Sequence, residues 1–238
     1  MNITKVPDSI GSMNKNKGCE KAPDVILRDV KADRVNIVGN EDENLKNIEK
    51  TDGYIFLGGS HSITYALFRG MKGDNKGLLI FDAHVDADFY TKTVTHEDFV
   101  RKLIEEKSLK RENLVYIGTR KIYNNELKFL KENKIKYFDM DKIFDLGLKE
   151  SCDCIMEICR QFSDLYISVD IDVLDPSQAP GTGYLETGGL LSRELFYFLK
   201  RLKLLKNLRR VDIVEVNPDK DVNEITVKTA RKILEIMG

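Results

Sequence analysis

The chain has 238 residues, 38 Lys and Arg against 39 Asp and Glu, a formal net charge of −1 and 42% hydrophobic residues. That balance gives no cationic face for nucleic acid or an anionic membrane. The opening MNITKVPDSIG lacks the apolar core of a leader, and no window approaches the roughly 18 apolar residues of a membrane span. The expectation is a cytoplasmic enzyme, one domain over residues 1–238, acting on a small molecule. Cysteines fall at 19, 152, 154 and 159 without a paired CxxC, which reads as reduced structural thiols.

In chain order, a weak strand pattern in NITKV is followed by stronger ones at 34–39, 53–58, 77–82, 113–118, 134–139, 165–170 and 211–216. Helical periodicity lies between them at 62–70, 96–107, 124–133, 149–162, 192–206 and 224–236. Repeated β–α units of this kind imply an α/β fold with a mostly parallel sheet covered on both faces. Lysine-rich KRLKLLK is the solvated side of an amphipathic helix. In such a fold the chemistry gathers at the carboxyl ends of the strands.

Three strand ends carry unusual polar residues. GLLIFD runs into Asp82-Ala-His84-Val-Asp86, LYISVD into Asp170-Ile-Asp172, and GYIFLG into Gly59-Ser60-His61-Ser62. If the backbone stays extended, spacing of two puts Asp82, His84 and Asp86 on one face, and likewise Asp170 and Asp172. Singly, a strand-end His or DxD is more often turn chemistry than a ligand. Together they take two of only three histidines in the chain, with the third, His96, close behind. Four converging carboxylates cost several kcal/mol per ion without counter-charge, and two divalent cations cancel them. Carboxylates and imidazoles without thiolate favour Mn²⁺ over Zn²⁺, Ni²⁺ or Fe²⁺, and two such ions about 3.5–4 Å apart share bridging carboxylates.

Four other positions receive a reading. Ser62 is placed as the cap of the helix that follows it. Thr95 caps a helix that sets His96 at a helix N-terminus, where protonation is disfavoured and a proton carrier near neutral pH results. Glu215 stands near the end of VDIVEV, on the opposite face from Asp212. Asp175, before Pro176, fixes a loop.

GGSHS, DAHVDAD, SVDIDVLDPSQAPGTG and DIVEVNP, in this order, resemble the four signature segments of the ureohydrolase family, which includes arginase and agmatinase. KVPDSIGSMNKNKGCEKAPDVI is similar to that family's opening strand and loop. The resemblance implies a three-layer α/β/α sandwich with about eight mostly parallel strands, and a homo-trimer or hexamer. It implies that His61, Asp82, Asp86 and Asp170 hold one Mn²⁺ while Asp82, His84, Asp170 and Asp172 hold the other. Asp86 then handles the proton of the attacking water, His96 shuttles protons, and Glu215 orients a small cationic guanidino substrate that is cleaved to urea and an amine.

Three departures from the pattern cluster near the site. Ser60 stands where an acidic residue is usual, Glu97 where glycine is usual, and Tyr184-Leu185 where Thr-Pro is usual. The Asn/Ser/Thr-rich arrangement with which arginases hold amino-acid groups is missing between Asp86 and His96. An agmatinase-like enzyme of polyamine biosynthesis is therefore favoured over arginase, a guanidino-acid hydrolase or a formiminoglutamase. The readings from other classes are a single-zinc deacetylase-like amidohydrolase and a non-catalytic relative stabilised by its ions.

Overall fold

The computed structural model describes residues 2–28, 30–89 and 93–238. Eight strands form one wholly parallel sheet: β1 (Ile3–Val6), β2 (Asp33–Arg34), β3 (Ile55–Gly58), β4 (Lys76–Phe81), β5 (Leu114–Ile117), β6 (Lys136–Phe138), β7 (Asp164–Asp170) and β8 (Leu208–Val214), in spatial order β2-β1-β3-β8-β7-β4-β5-β6. The central strands read as unbroken apolar runs because both faces are covered. In β4, Leu79 and Phe81 enter one core and Leu78 and Ile80 the other, all fully buried.

The first core layer is closed by α1 (Ala22–Leu27), α6 (Met140–Leu146), α7 (Leu148–Cys159), α8 (Ser192–Leu202) and α9 (Ile225–Met237). The opposite layer is closed by α2 (Glu41–Glu49), α3 (Ile63–Gly70), α4 (Phe99–Glu105) and α5 (Asn124–Asn133). This is the expected α/β/α sandwich. Among the described residues no helix is long and apolar enough to cross a membrane, and the four cysteines are unpaired, three of them buried.

Two readings of local structure need correction. The strand expected over 34–39 is only Asp33–Arg34 at the sheet edge: Val35 still donates to the Lys5 carbonyl at 2.9 Å and is buried, but the chain then leaves the sheet and Val38 is exposed. Three helices were not anticipated. The clearest, α2, is highly charged and buries only Asn44 and Ile48, so it lacks an apolar period. It is specified instead by Asn40, which caps the Glu43 amide at 3.1 Å, and by an acidic first turn. Residues 90–92, in the segment between Asp86 and His96, lie outside the described residues.

Candidate metal centre

The six ligand candidates meet at the carboxyl ends of β3, β4 and β7, the last two being neighbours. Their local geometry differs from extended strand. β4 ends at Phe81, so Asp82, His84 and Asp86 lie on a loop. There Asp82 Oδ1 accepts the His84 amide at 2.7 Å, the Tyr116 hydroxyl pins the Val85 carbonyl at 2.5 Å, and Asp86 takes φ 53°. Asp172 sits in a 3₁₀ turn, Ile171–Val173, whose amide is held by Asp170 Oδ1 at 2.9 Å. Arg120 clamps that turn from outside, donating to the Asp172 carbonyl at 2.7 Å. Turns, rather than the strand alternation assumed from the spacing of two, bring these candidates together.

His61 follows Gly58-Gly59-Ser60. A Cβ at Gly59 would lie 2.2 Å from the Asp8 carbonyl oxygen, so only glycine lets this turn pass so close. Ser62 does not cap α3 with its side chain. Its hydroxyl donates to Ser60 Oγ at 3.1 Å instead, because α3 starts directly from the turn.

Two donor groups result. His61 Nδ1 lies 3.0 Å from Asp82 Oδ2, 3.0 Å from Asp86 Oδ2 and 3.3 Å from Asp170 Oδ2. His84 Nδ1 lies 3.3 Å from Asp82 Oδ1 and 3.1 Å from Asp172 Oδ2. In the sets His61–Asp82–Asp86 and Asp82–His84–Asp172 the donor atoms lie within 4.8 Å of one another. Asp82 offers one oxygen to each side, the arrangement a bridging carboxylate requires.

The donors fit cations on a further ground. Buried His61 Nδ1 makes no hydrogen bond, and its tautomer is set from behind. Asp212 is fully buried and accepts hydroxyl bonds from Thr64 and Ser168 at 2.6 Å and from Tyr166 at 2.7 Å. With its proton committed to Asp212, the Ser168 oxygen accepts from His61 Nε2 at 2.9 Å, which leaves the Nδ1 lone pair facing the carboxylates. Without an ion the carboxylates strain one another. Burial, then the Asp82 charge, pushes the Asp86 carboxyl up to about 7, and burial with Asp172 and Asp82 raises Asp170 well above its usual range. Burial alone would depress His61, but Asp170, Asp82 and Asp86 outweigh it and raise the imidazole, which takes a proton where a cation would serve. If these donors hold a divalent cation, Ser168→Ala should weaken its binding by about tenfold to a hundredfold, read by calorimetry.

Above the donors lies a cavity of about 320 Å³ lined by His84, Asp86, His96, Glu97, Tyr184 and Glu215, among others. Glu215 lies just past the end of β8 and takes φ 61°. It accepts the His61 amide at 2.7 Å on Oε1 and the Asn16 side chain at 2.6 Å on Oε2, with His96 Nδ1 at 3.5 Å. His96 is not at a helix N-terminus: α4 begins at Phe99, and Asp98 accepts from the Thr95 amide and hydroxyl at 2.9 and 2.7 Å. Burial disfavours the imidazolium, but Glu215, Asp86 and Glu97 overcome it and raise the pKa, contrary to the expectation from a helix end.

A family model of arginases matches residues 21–237. The chain belongs to the arginase family. It is 32% identical to an arginase of Staphylococcus aureus over 209 residues, covering 81% of this chain and 68% of that protein. It is 35% identical to proclavaminate amidinohydrolase of Streptomyces clavuligerus over 187 residues, covering 76% and 59%. The solved formimidoylglutamase of Bacillus subtilis superposes with TM-score 0.92 at 25% identity, covering 99% of this chain and 85% of that one.

For an arginase-family chain, the sequence reading missed the supports. Asn16, Thr64, Arg120, Tyr166, Ser168 and Asp212 position the site without being ligand types in a motif. Asp212 alone left a trace, as a carboxylate inside the apolar strand VDIV. Ser60, in place of the acidic residue, is fully buried and its Oγ accepts from the Ser62 hydroxyl, so that position is filled by turn structure. Asp175 does fix its loop, accepting the amides of Ser177 at 3.0 Å and Gly188 at 2.8 Å.

Proposed function

We propose that this chain is a binuclear manganese hydrolase that cleaves a guanidino C–N bond to urea and an amine, with an agmatine-like substrate. The observation that carries this reading is the pair of donor groups sharing Asp82 beneath a cavity walled by Glu215 and His96. His61, Asp82, Asp86 and Asp170 would hold one ion and Asp82, His84, Asp170 and Asp172 the other. When bound, the ions supply a water of lowered pKa and neutralise the carboxylates.

The side chains supply the rest. Each Glu215 oxygen already accepts one hydrogen bond and keeps a lone pair for a guanidinium, which fixes the carbon over the donors. Asp86, on the cavity wall, would receive a proton from the attacking water and pass it to the departing nitrogen. His96, 3.5 Å from Glu215, would exchange with solvent the further proton that the departing amine takes up and that the next water releases. Asp88 and Glu97 line the mouth with Lys15 as the cation among them, which suits a cationic tail. That single lysine favours a second reading, a guanidino or formimino compound with an acidic tail. A trimer or hexamer in the cytoplasm is the setting that goes with the proposed reaction.

The test is urea release from Mn²⁺-loaded protein with agmatine, arginine, guanidinobutyrate and guanidinopropionate, and formamide release from formimidoylglutamate. Agmatine should give the highest kcat/KM. Silence on every compound from protein holding two ions per chain would refute the hydrolase, and a single bound zinc would favour the deacetylase-like class.

A further inference from the structure

We infer that Glu97 and the ring of Tyr184 form a subsite for an alkylammonium at the far end of the substrate, and that Lys15 occupies it when substrate is absent. This rests on the guanidino-hydrolase reading and identifies how the tail is recognised.

Glu97 Oε1 accepts from Lys15 Nζ at 2.5 Å and from the Tyr184 hydroxyl at 2.8 Å. Lys15 Nζ also lies 5.9 Å from the centre of the Tyr184 ring, within the range at which an aromatic face attracts a cation. A carboxylate beside an aromatic face is a receptor for a primary ammonium, and here the protein's own side chain fills it. The end of a lysine is a primary ammonium on an aliphatic stem, chemically the same as the tail of an aminoalkyl guanidine. Burial opposes the Glu97 charge, but Lys15 and Tyr184 hold the carboxyl below its usual value, while Glu97 raises the Lys15 ammonium.

The position relative to the head site is what makes this subsite useful. His96 Nδ1 faces Glu215 at 3.5 Å and Nε2 faces Glu97 at 3.9 Å, so the two carboxylates flank one imidazole. A guanidinium at Glu215 and an ammonium at Glu97 are thus joined by a short aliphatic linker. Tyr184 lies over that path, its ring 5.3 Å from His84 and 5.8 Å from His96, and offers an apolar surface to the methylenes. Lys15 and Glu97 side chains are 46% and 35% exposed, so their mutual attraction is weak and easily exchanged. A substrate ammonium already anchored at Glu215 arrives at high effective concentration and displaces Lys15. A tail carboxylate at the same place meets Glu97 as a like charge.

The two halves of the cluster predict opposite signs. In full-length, Mn²⁺-loaded protein, Lys15→Met removes the competitor and should lower KM for agmatine by about twofold to fivefold. Glu97→Gln removes the acceptor and should raise it by about tenfold. A merely structural role would move both the same way. Agmatine KM unchanged or raised in K15M, or unchanged or lowered in E97Q, overturns the subsite. Calorimetry with 1,4-diaminobutane decides it independently of turnover: tighter binding in K15M and weaker in E97Q is expected, and the absence of either change sinks the proposal. If the wild type releases no urea but diamine binding follows this pattern, the hydrolase reading falls and the ammonium subsite stands.

Discussion

Asp82→Ala is expected to abolish urea release and to leave the chain with at most one bound Mn²⁺. Its Oδ2 faces His61 and its Oδ1 faces His84, so one substitution removes a donor from both groups. Residues that only support ligands typically cost tenfold to a hundredfold, so losing a shared ligand should exceed about a hundredfold in activity. Metal content by elemental analysis and single-substrate kinetics check this together. Wild-type turnover, or two retained ions, would remove Asp82 from the bridging position.

Filling one of the two sites of the wild type with Mn²⁺ should raise its melting temperature by about 5–10 °C. At about a hundred times Kd, one site contributes about 2.7 kcal/mol, and a chain of this size moves about 2–4 °C per kcal/mol. The effect depends on pH with a definite sign. Asp86 is raised from 3.8 to about 7 in the metal-free fold. Between those values the unfolded chain has lost a proton that the folded chain keeps, so metal-free stability falls as pH rises through that interval. Metal uptake needs the ionised carboxylate and releases its proton, so binding strengthens over the same interval. Thermal melts should therefore show a larger manganese shift above about pH 7 than near pH 5. An equal shift at both would place Asp86 outside the ligand set.

The sandwich was legible in the sequence because buried parallel strands read as continuous apolar runs, and helices such as 124–133 show their period directly. What escaped was whatever owes its form to something other than apolar period. α2 is held by a cap and a helix dipole, and the edge stretch after Arg34 buries Val35 without continuing as strand. The convergence of the candidate ligands was legible, but the local geometry assumed for it was not the one found. Residue type and strand-end position identified Asp82, His84, Asp86, Asp170 and Asp172, while the assumed extended backbone gives way to a left-handed Asp86 and a 3₁₀ turn at Asp172. His96 does line the cavity, but its expected electrostatics were wrong, because Glu215 is 119 residues away in sequence and no local pattern brings it near. The Ser168–Asp212 support is invisible for the same reason: hydroxyls within apolar strands look like ordinary strand residues until the neighbouring strand is known.

The donors come from segments far apart along the chain, with His61 after β3 and Asp170 at the end of β7. An ion joining those two residues closes a loop of about a hundred residues, which in an unfolded chain carries a large entropy cost. An ion held there would be a removable cross-link between distant parts of the chain. On the proposed two-ion reading, metal-free protein should then be cleaved by added protease faster than protein loaded with Mn²⁺.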